Sequence, residues 1–187
     1  MTENLTPQTS RDFAQEHIPA WLIDDLRTDH AGELGAVWIY RGALIGTRNQ
    51  EITKFAAEHL ETEKLHLRGI ESLIPVRKRS YLLPLWRFFG FLTGYFAAIF
   101  GPHAFYATVA AVETFVDQHY ATQIKRLKPD STLAPIRLQL EQFRLDEVRH
   151  KDESLERIGN VEHPLLNLWC RLVTVGSRSA VAVSRRI

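Results

Sequence analysis

The sequence predicts an all-α fold: a four-helix bundle with an added apolar interfacial helix and a C-terminal helix. Three observations predict it. Apolar residues recur at spacings of three and four through most of the chain, and hardly any stretch alternates at period two. Clusters of Gly, Pro and Asn divide the chain into segments long enough for bundle helices. Acidic and histidine residues fall on the apolar faces of those segments in the order Glu33, Glu63-x-x-His66, Glu113, Glu147-x-x-His150. Residues three apart share one face of a helix, so each Glu-x-x-His pair can grip one metal ion. That order of six residues is the ligand set of a di-iron carboxylate bundle.

The bulk properties set limits. A chain of 187 residues is read as one domain, large enough to bury a core. A net charge of +1 gives no global field for nucleic acid, which is not expected as a partner. The single Cys170 excludes an internal disulfide and any cysteine-based cluster, which suits a reducing compartment. Residues 1–21 are polar, carry Pro7 and Pro19, and are expected to be a flexible segment ahead of a domain over 22–187. With Glu3, Asp12 and Glu16 and no long apolar run, the N-terminus resembles neither a secretory signal nor an Arg-rich transit peptide. The chain reads as a bacterial cytoplasmic-side protein or as an already processed one. It has no glycine-rich nucleotide loop, no Cys-x-x-Cys and no Gly-x-Ser-x-Gly. Electrons for a redox reaction must therefore come from an external donor.

A first helix is expected from near Asp24 or Asp25, with Glu33, Val37, Tyr40 and Leu44 on one face. Glu33 then lies on an apolar side, where a carboxylate is costly without a partner. Gly42 and Gly46 are expected to loosen its end, and Gly46-Thr47-Arg48-Asn49 reads as a turn. The second helix runs from about Gln50 to Leu73 and stops before Pro75, with His59, Glu63, His66, Ile70 and Leu73 inward. The basic run Arg77-Lys78-Arg79 leads into the most apolar part of the protein, within 76–101. Its uncharged run from Phe88 to Gly101 is too short to cross a bilayer, which needs about 20 apolar residues. An interfacial or groove-forming helix fits better, with the basic run meeting anionic headgroups. A third bundle helix follows Pro102 and carries Val109, Glu113, Val116, Tyr120, Ile124 and Leu127 inward. After the turn Lys128-Pro129-Asp130-Ser131 the fourth carries Ile136, Leu140, Phe143, Glu147, His150 and Ser154, and breaks at Gly159-Asn160. The last helix, about Pro164 to Ile187, mixes Leu166, Trp169 and Leu172 with Arg171, Arg178, Arg185 and Arg186; it closes the bundle or lies on a membrane.

Antiparallel helices joined by a short turn align residues equidistant from that turn. Glu33 and Glu63 are each about 15 residues from a turn centred near residue 48, or roughly 22 Å at 1.5 Å per residue. Glu113 and Glu147 are each about 17 residues, or roughly 26 Å, from a turn centred near residue 130. The two halves read as a repeated helical hairpin, each giving one Glu and one Glu-x-x-His. Asp146 is placed to accept the second ring N–H of His66 across the bundle, and Arg149 to pair with such a supporting carboxylate. A lone Glu-x-x-His would mean little. Four inward carboxylates and two histidines without metal would leave an anionic, poorly solvated core. His59 reads as a supporting or core histidine, and Tyr120 as a core tyrosine bonded to a ligand carboxylate.

Asp29-His30-Ala31-Gly32-Glu33-Leu34-Gly35-Ala36 with Ile39-Tyr40-Arg41-Gly42 resembles the first motif of the demethoxyubiquinone hydroxylases, the ubiquinone-biosynthesis monooxygenases. Glu63 to Leu67, Ala111-Val112-Glu113, His119-Tyr120 with Gln123-Ile124, Asp146 to His150, and the ending Ala180 to Ile187 are similar to its later motifs, in order. The resemblance covers about residues 22 to 187. It implies a ferritin-like bundle binding two irons through Glu33, Glu63, His66, Glu113, Glu147 and His150, which act through the metal centre. It further implies O2 as co-substrate, NADH or another external electron donor, and a polyprenyl quinone substrate. The implied location is peripheral, on the cytoplasmic face of a bacterial membrane or the matrix face of the mitochondrial inner membrane. A lipid-binding accessory protein is an implied partner, and a homo-oligomer is left open. In the expected mechanism Glu63 and Glu147 are the bridging carboxylates and Glu33 and Glu113 the terminal ones, though the sequence alone does not separate the two roles. Two other readings stand beside it: a ferritin-like iron-binding or peroxide-detoxifying protein, which gives no reason for the apolar segment 81–100, and a non-catalytic membrane-binding scaffold, in which the carboxylates are structural.

Overall fold

The computed structural model describes residues 18–159 and 163–187. The expected flexible segment therefore falls almost wholly outside the described residues, as does Asn160. Helix α1 spans Ala20–Gly46, α2 Gln50–Leu73, α3 Leu83–Ile99, α4 Pro102–Leu127, α5 Ala134–Ile158 and α6 Pro164–Ser184. Single 3-10 turns, Val76–Lys78 and Ser131–Leu133, sit in two of the connections, and no strand occurs among the described residues. The all-α bundle expected from the periodicity is what forms.

Local chemistry sets the ends. Asn49 caps α2 by accepting from the backbone N–H of Glu51 at 2.9 Å and of Ile52 at 3.1 Å. Asp130 accepts from Thr132 N–H at 2.8 Å and holds the 3-10 turn that precedes α5. Gly159, at φ 62°, ends α5 in a conformation that disfavours a side chain. The start of α1 differs from expectation by one turn. Pro19 supplies a carbonyl to Leu22 and Ile23, so the helix starts at Ala20 and not at Asp24.

Two antiparallel hairpins, α1–α2 and α4–α5, form the bundle and level the ligand residues. One apolar cluster, including Val37, Phe55, Phe105 and Val109, fills one side of the ligand layer. A second, including Leu26, Ile70, Leu127 and Leu140, fills the other. Each such fully buried aliphatic side chain contributes about 1.5–3 kcal/mol.

Helix α3 lies along α1, backbone against backbone. A Cβ on Gly94 would collide with the carbonyl of Ile39, and one on Gly42 with that of Phe91. A Cβ on Gly90 would lie 2.6 Å from Gly35 O, and one on Gly46 2.5 Å from Tyr95 O. This corrects the reading of Gly42 and Gly46 as loosening the helix. The helix runs through Gly42 and ends at Gly46, and both are glycines because α3 leaves no room for a side chain.

The basic run is only partly available as an entrance. Arg79 donates to Glu71 Oε1 at 2.8 Å, and Lys78 O accepts from Arg27 Nε at 2.6 Å. The outer side of α3 presents Phe88, Phe89, Phe96 and Ile99, and the outer side of α6 presents Leu165, Leu168, Leu172 and Val175. No helix is long and apolar enough to cross a membrane among the described residues. Both ends of α6 are tied to the bundle. Trp169 Nε1 donates to Thr108 Oγ1 at 2.7 Å, Trp86 Nε1 to Ser184 Oγ at 2.8 Å, and Arg185 pairs with the buried Asp25. Asp25 also accepts from Arg126 at 2.6 Å. Of the four arginines named for the last helix, Arg185 is thus committed to the fold.

Candidate metal centre

The helical register brings all six expected ligand residues into one layer. Each is at most 3% exposed: Glu33 from α1, Glu63 and His66 from α2, Glu113 from α4, Glu147 and His150 from α5. One ligand atom from each of Glu33, Glu63, His66 and Glu147 lies within 4.8 Å of the other three. The same holds for Glu63, Glu113, Glu147 and His150. The two groups share Glu63 and Glu147, the two carboxylates of the Glu-x-x-His pairs.

The donor set fits a pair of cations. Glu33 Oε2, both oxygens of Glu63, Glu113 Oε2, Glu147 Oε2 and both ring nitrogens of His150 are buried with no hydrogen-bond partner among the described residues. An unsatisfied buried polar atom costs on the order of 1–3 kcal/mol, and these converge on one layer. Carboxylate oxygen and imidazole nitrogen suit a divalent first-row metal such as iron.

In the metal-free state, protons meet part of this charge. Burial drives Glu63 and Glu113 well above the ordinary carboxylate range, and neighbouring carboxylates push them further. Burial also raises Glu33, against the opposing pull of His66 and Tyr120. Burial would raise Glu147 as well, but its close contacts with the His150 and His66 rings outweigh burial and bring it to about 2. Burial lowers His66, yet its bonds with Glu147 and Glu33 prevail and carry it up to about 11. The same layer thus holds Glu147 low and His66 high while it shifts Glu33, Glu63 and Glu113 towards the protonated form.

A second ring of contacts orients the ligands. His66 Nδ1 faces Glu147 Oε1 at 2.9 Å, and its Nε2 faces Asp146 Oδ2 at 3.2 Å. Arg149 pairs with Asp146 at 3.2 Å. Both contacts match the sequence reading. Tyr120 donates its hydroxyl to Glu33, also as expected. Tyr40 donates to Glu113 Oε1 at 3.2 Å, a role its place on the inner face did not reveal. A signal was present: Tyr40 follows Glu33, and Tyr120 follows Glu113, by the same interval of two helical turns. His59 packs edge-on to His150, ring centroids 4.0 Å apart, and stacks on Phe55 at 3.9 Å. Burial first, then the nearby His150, Arg149 and Arg157, lower it to about 3, so it stays neutral.

A further polar cluster joins residues about 90 positions apart. Asp29 Oδ1 accepts from Gln123 Nε2 at 2.6 Å and lies 3.0 Å from His119 Nε2, which is 3.1 Å from Thr28 Oγ1. Sequence reading found these residues only as pieces of motifs. Their meeting is a product of the α1–α4 packing.

Two cavities lie at and beside this layer. A small one, about 20 Å³, is lined by Glu33, Glu63, Glu113 and Glu147 together with Asp29, His119 and Tyr120. A larger one, about 460 Å³, lies between α1, α3, α4 and α6 and is lined mainly by apolar side chains such as Ile39, Phe89, Val112 and Leu172. Gly32, Ala36, Phe115, Val116 and Val181 line both, so the apolar cavity lies next to the one that the carboxylates line.

Comparison with known proteins follows the same lines. The family described as "Ubiquinone biosynthesis protein COQ7" matches residues 21–184. The 3-demethoxyubiquinol 3-hydroxylase of Rhodospirillum rubrum is 35% identical, over 90% of this chain and 80% of its own. The NADPH-dependent 3-demethoxyubiquinone 3-hydroxylase, mitochondrial, of Dictyostelium discoideum is 31% identical, over 98% of this chain and 86% of its own. The protein of the same name from Rattus norvegicus is 33% identical, over 86% and 76% respectively. The resemblance carried by the motif around Glu33 is borne out. With a match that runs from the first turn of α1 to the last residue of α6, the chain belongs to the ubiquinone biosynthesis protein COQ7 family.

Proposed function

We propose that this protein is a di-iron monooxygenase that hydroxylates the ring of demethoxyubiquinone or demethoxyubiquinol in ubiquinone biosynthesis. One observation carries the reading: two overlapping four-residue groups of candidate ligands, sharing Glu63 and Glu147, lie beside an apolar cavity, separated from it only by residues that line both it and the small cavity at the carboxylates. Glu33, Glu63, His66 and Glu147 would hold one iron, and Glu63, Glu113, Glu147 and His150 the other. When bound, the iron pair supplies O2 activation, so that one oxygen atom enters a ring C–H bond while two external electrons and two protons carry the other to water.

The chain's own residues do the rest. Glu63 and Glu147, which belong to both groups, would be shared by the two ions. Tyr120 and Tyr40 steady the terminal carboxylates Glu33 and Glu113, and Asp146 orients His66. The cavity volume suits a substituted ring with the first part of its tail, since small-molecule pockets run from about 300 to 1,000 Å³. Its apolar walls exclude water from the reacting ring. His119, held beside Asp29, brings a proton-exchanging group to the same small cavity as the carboxylates. The relatives' names support reduced nicotinamide as electron source. The exposed aromatic side of α3 and the leucines of α6 support peripheral attachment to the membrane holding the quinone tail. An accessory lipid-binding partner belongs to the same reading. Iron storage or a non-catalytic scaffold would leave the cavity beside the carboxylates without a use.

The test is anaerobic reconstitution with Fe(II), followed by a short-tailed demethoxyquinone, reduced nicotinamide and oxygen. Hydroxylated quinone is the expected product. Full iron loading without product would sink the proposal. Co-sedimentation with anionic vesicles, reduced by Phe88→Ser with Phe96→Ser, checks the membrane attachment; sedimentation unchanged by the pair would refute it.

A further inference from the structure

We propose that the two metal positions are inequivalent: the one built by Glu33 and His66 binds its ion first and more tightly, and the one built by Glu113 and His150 exchanges more readily. The inference rests on the two-metal reading above. Its starting point is how closely the positions match. Each has one terminal carboxylate and shares Glu63 and Glu147. Each presents a histidine Nδ1 to the carboxylates: His66 lies 2.9 Å from Glu147 and 3.7 Å from Glu33, and His150 lies 3.1 Å from Glu63 and 3.6 Å from Glu147. Each terminal carboxylate accepts one tyrosine hydroxyl. Ligand charge is the same at both positions, so it cannot separate them.

The difference lies on the far side of the two imidazoles. His66 Nε2 faces the Asp146 carboxylate at 3.2 Å, and Arg149 holds Asp146 from behind. His150 Nε2 is buried and has no hydrogen-bond partner among the described residues. Its neighbour is the ring of His59, edge-on at 4.0 Å, which offers no negative charge. A carboxylate on the second nitrogen locks the ring and makes the ligand nitrogen more basic, and its loss costs about 10–100-fold in metal affinity. The asymmetry traces to one place in the repeat. The residue before Glu147 is Asp146, whereas the residue before Glu63 is Thr62, which carries no carboxylate.

The test uses Co(II), whose visible spectrum reports its coordination, added anaerobically to the metal-free protein. Repulsion between two cations splits the binding steps even in a symmetric centre, so the split alone decides nothing. The location decides. Crystals grown with one Co(II) per chain should show the anomalous peak beside Glu33 and His66. Asp146→Asn, at a residue with a 20% exposed side chain, should weaken the first step by about 10–100-fold and even out the two occupancies. Thr62→Asp should strengthen the second step. Circular dichroism checks that both variants keep their helices. Equal occupancy in the wild type, a peak beside Glu113 and His150, or an Asp146→Asn titration that superimposes on the wild type would overturn the inference and leave the two-metal reading standing. Fewer than two Co(II) per chain at saturation would overturn that reading itself.

Discussion

Tyr40 of α1 donates its hydroxyl to Glu113 of α4, while Tyr120 of α4 donates to Glu33 of α1. Each helix thus supplies one buried glutamate of the layer and the tyrosine that donates to its counterpart's. Burial first, then the surrounding glutamates, raise both phenols well above their ordinary value, so both remain protonated donors. Tyr40→Phe and Tyr120→Phe each leave a buried carboxylate oxygen without its donor. Each should lower the stability of the metal-free protein by about 1–3 kcal/mol, read from urea unfolding, while two irons per chain still bind. Unchanged unfolding midpoints in both variants would show that the tyrosines only fill space.

The contact between α1 and α3 gives an unequal pair of glycine variants. Gly94→Ala drives a methyl group into the Ile39 carbonyl and should cost about 1–3 kcal/mol or more, as overpacking does. Gly32→Ala meets no atom within 4 Å and should be neutral or gain up to about 1 kcal/mol of helix propensity. Because Gly32 lines both cavities, the same variant should raise KM for the quinone. Equal melting temperatures for the two variants would contradict the backbone contact.

The stabilisation added by metal binding should grow with pH. Glu33, Glu63 and Glu113 have raised values in the folded metal-free protein, so their contribution is complete below about 4.5 and is lost as pH rises. His66, raised to about 11, contributes fully below 6.5 and loses that contribution as pH rises towards 11. Glu147 and His59 are lowered, to about 2 and about 3, so their contributions are already complete above 4.5 and 6.5 respectively. Between about pH 7 and pH 10 only the losses operate. The metal-free protein should melt at progressively lower temperature across that range. In the loaded protein the ions take the place of the protons, and binding tightens with pH. The gap in melting temperature between the two forms should therefore widen. A metal-free Tm that is flat or rises across the range would refute the protonation pattern.

Much of this was legible in the sequence because helix period and turn chemistry are local. The bounds of α2, from Gln50 behind its Asn49 cap to Leu73 before Pro75, match the reading residue for residue. The ligand layer was legible too, since equal distances from two turns level Glu33 with Glu63 and Glu113 with Glu147. What escaped depends on contacts between distant segments. Nothing near Gly42 or Gly46 announces that α3 will lie against them. Arg79 reads as a free cation until Glu71 is seen beside it. Asp29, His119 and Gln123 become one cluster only when α1 and α4 pack, and Arg185 commits to Asp25 only when α6 closes.

The glycine contact between α1 and α3 also has a mechanical meaning. Packed side chains can usually take up a small displacement by changing rotamer, but here no such compliant layer separates the two backbones. Glu33 projects from the same stiff rod whose other side carries Gly42 and Gly46. A displacement of α3 would therefore pass to α1 with little absorbed at the glycine contacts. Amide hydrogen exchange in α1 and α3 should slow together when vesicles are added, and protection confined to α3 would show a softer joint.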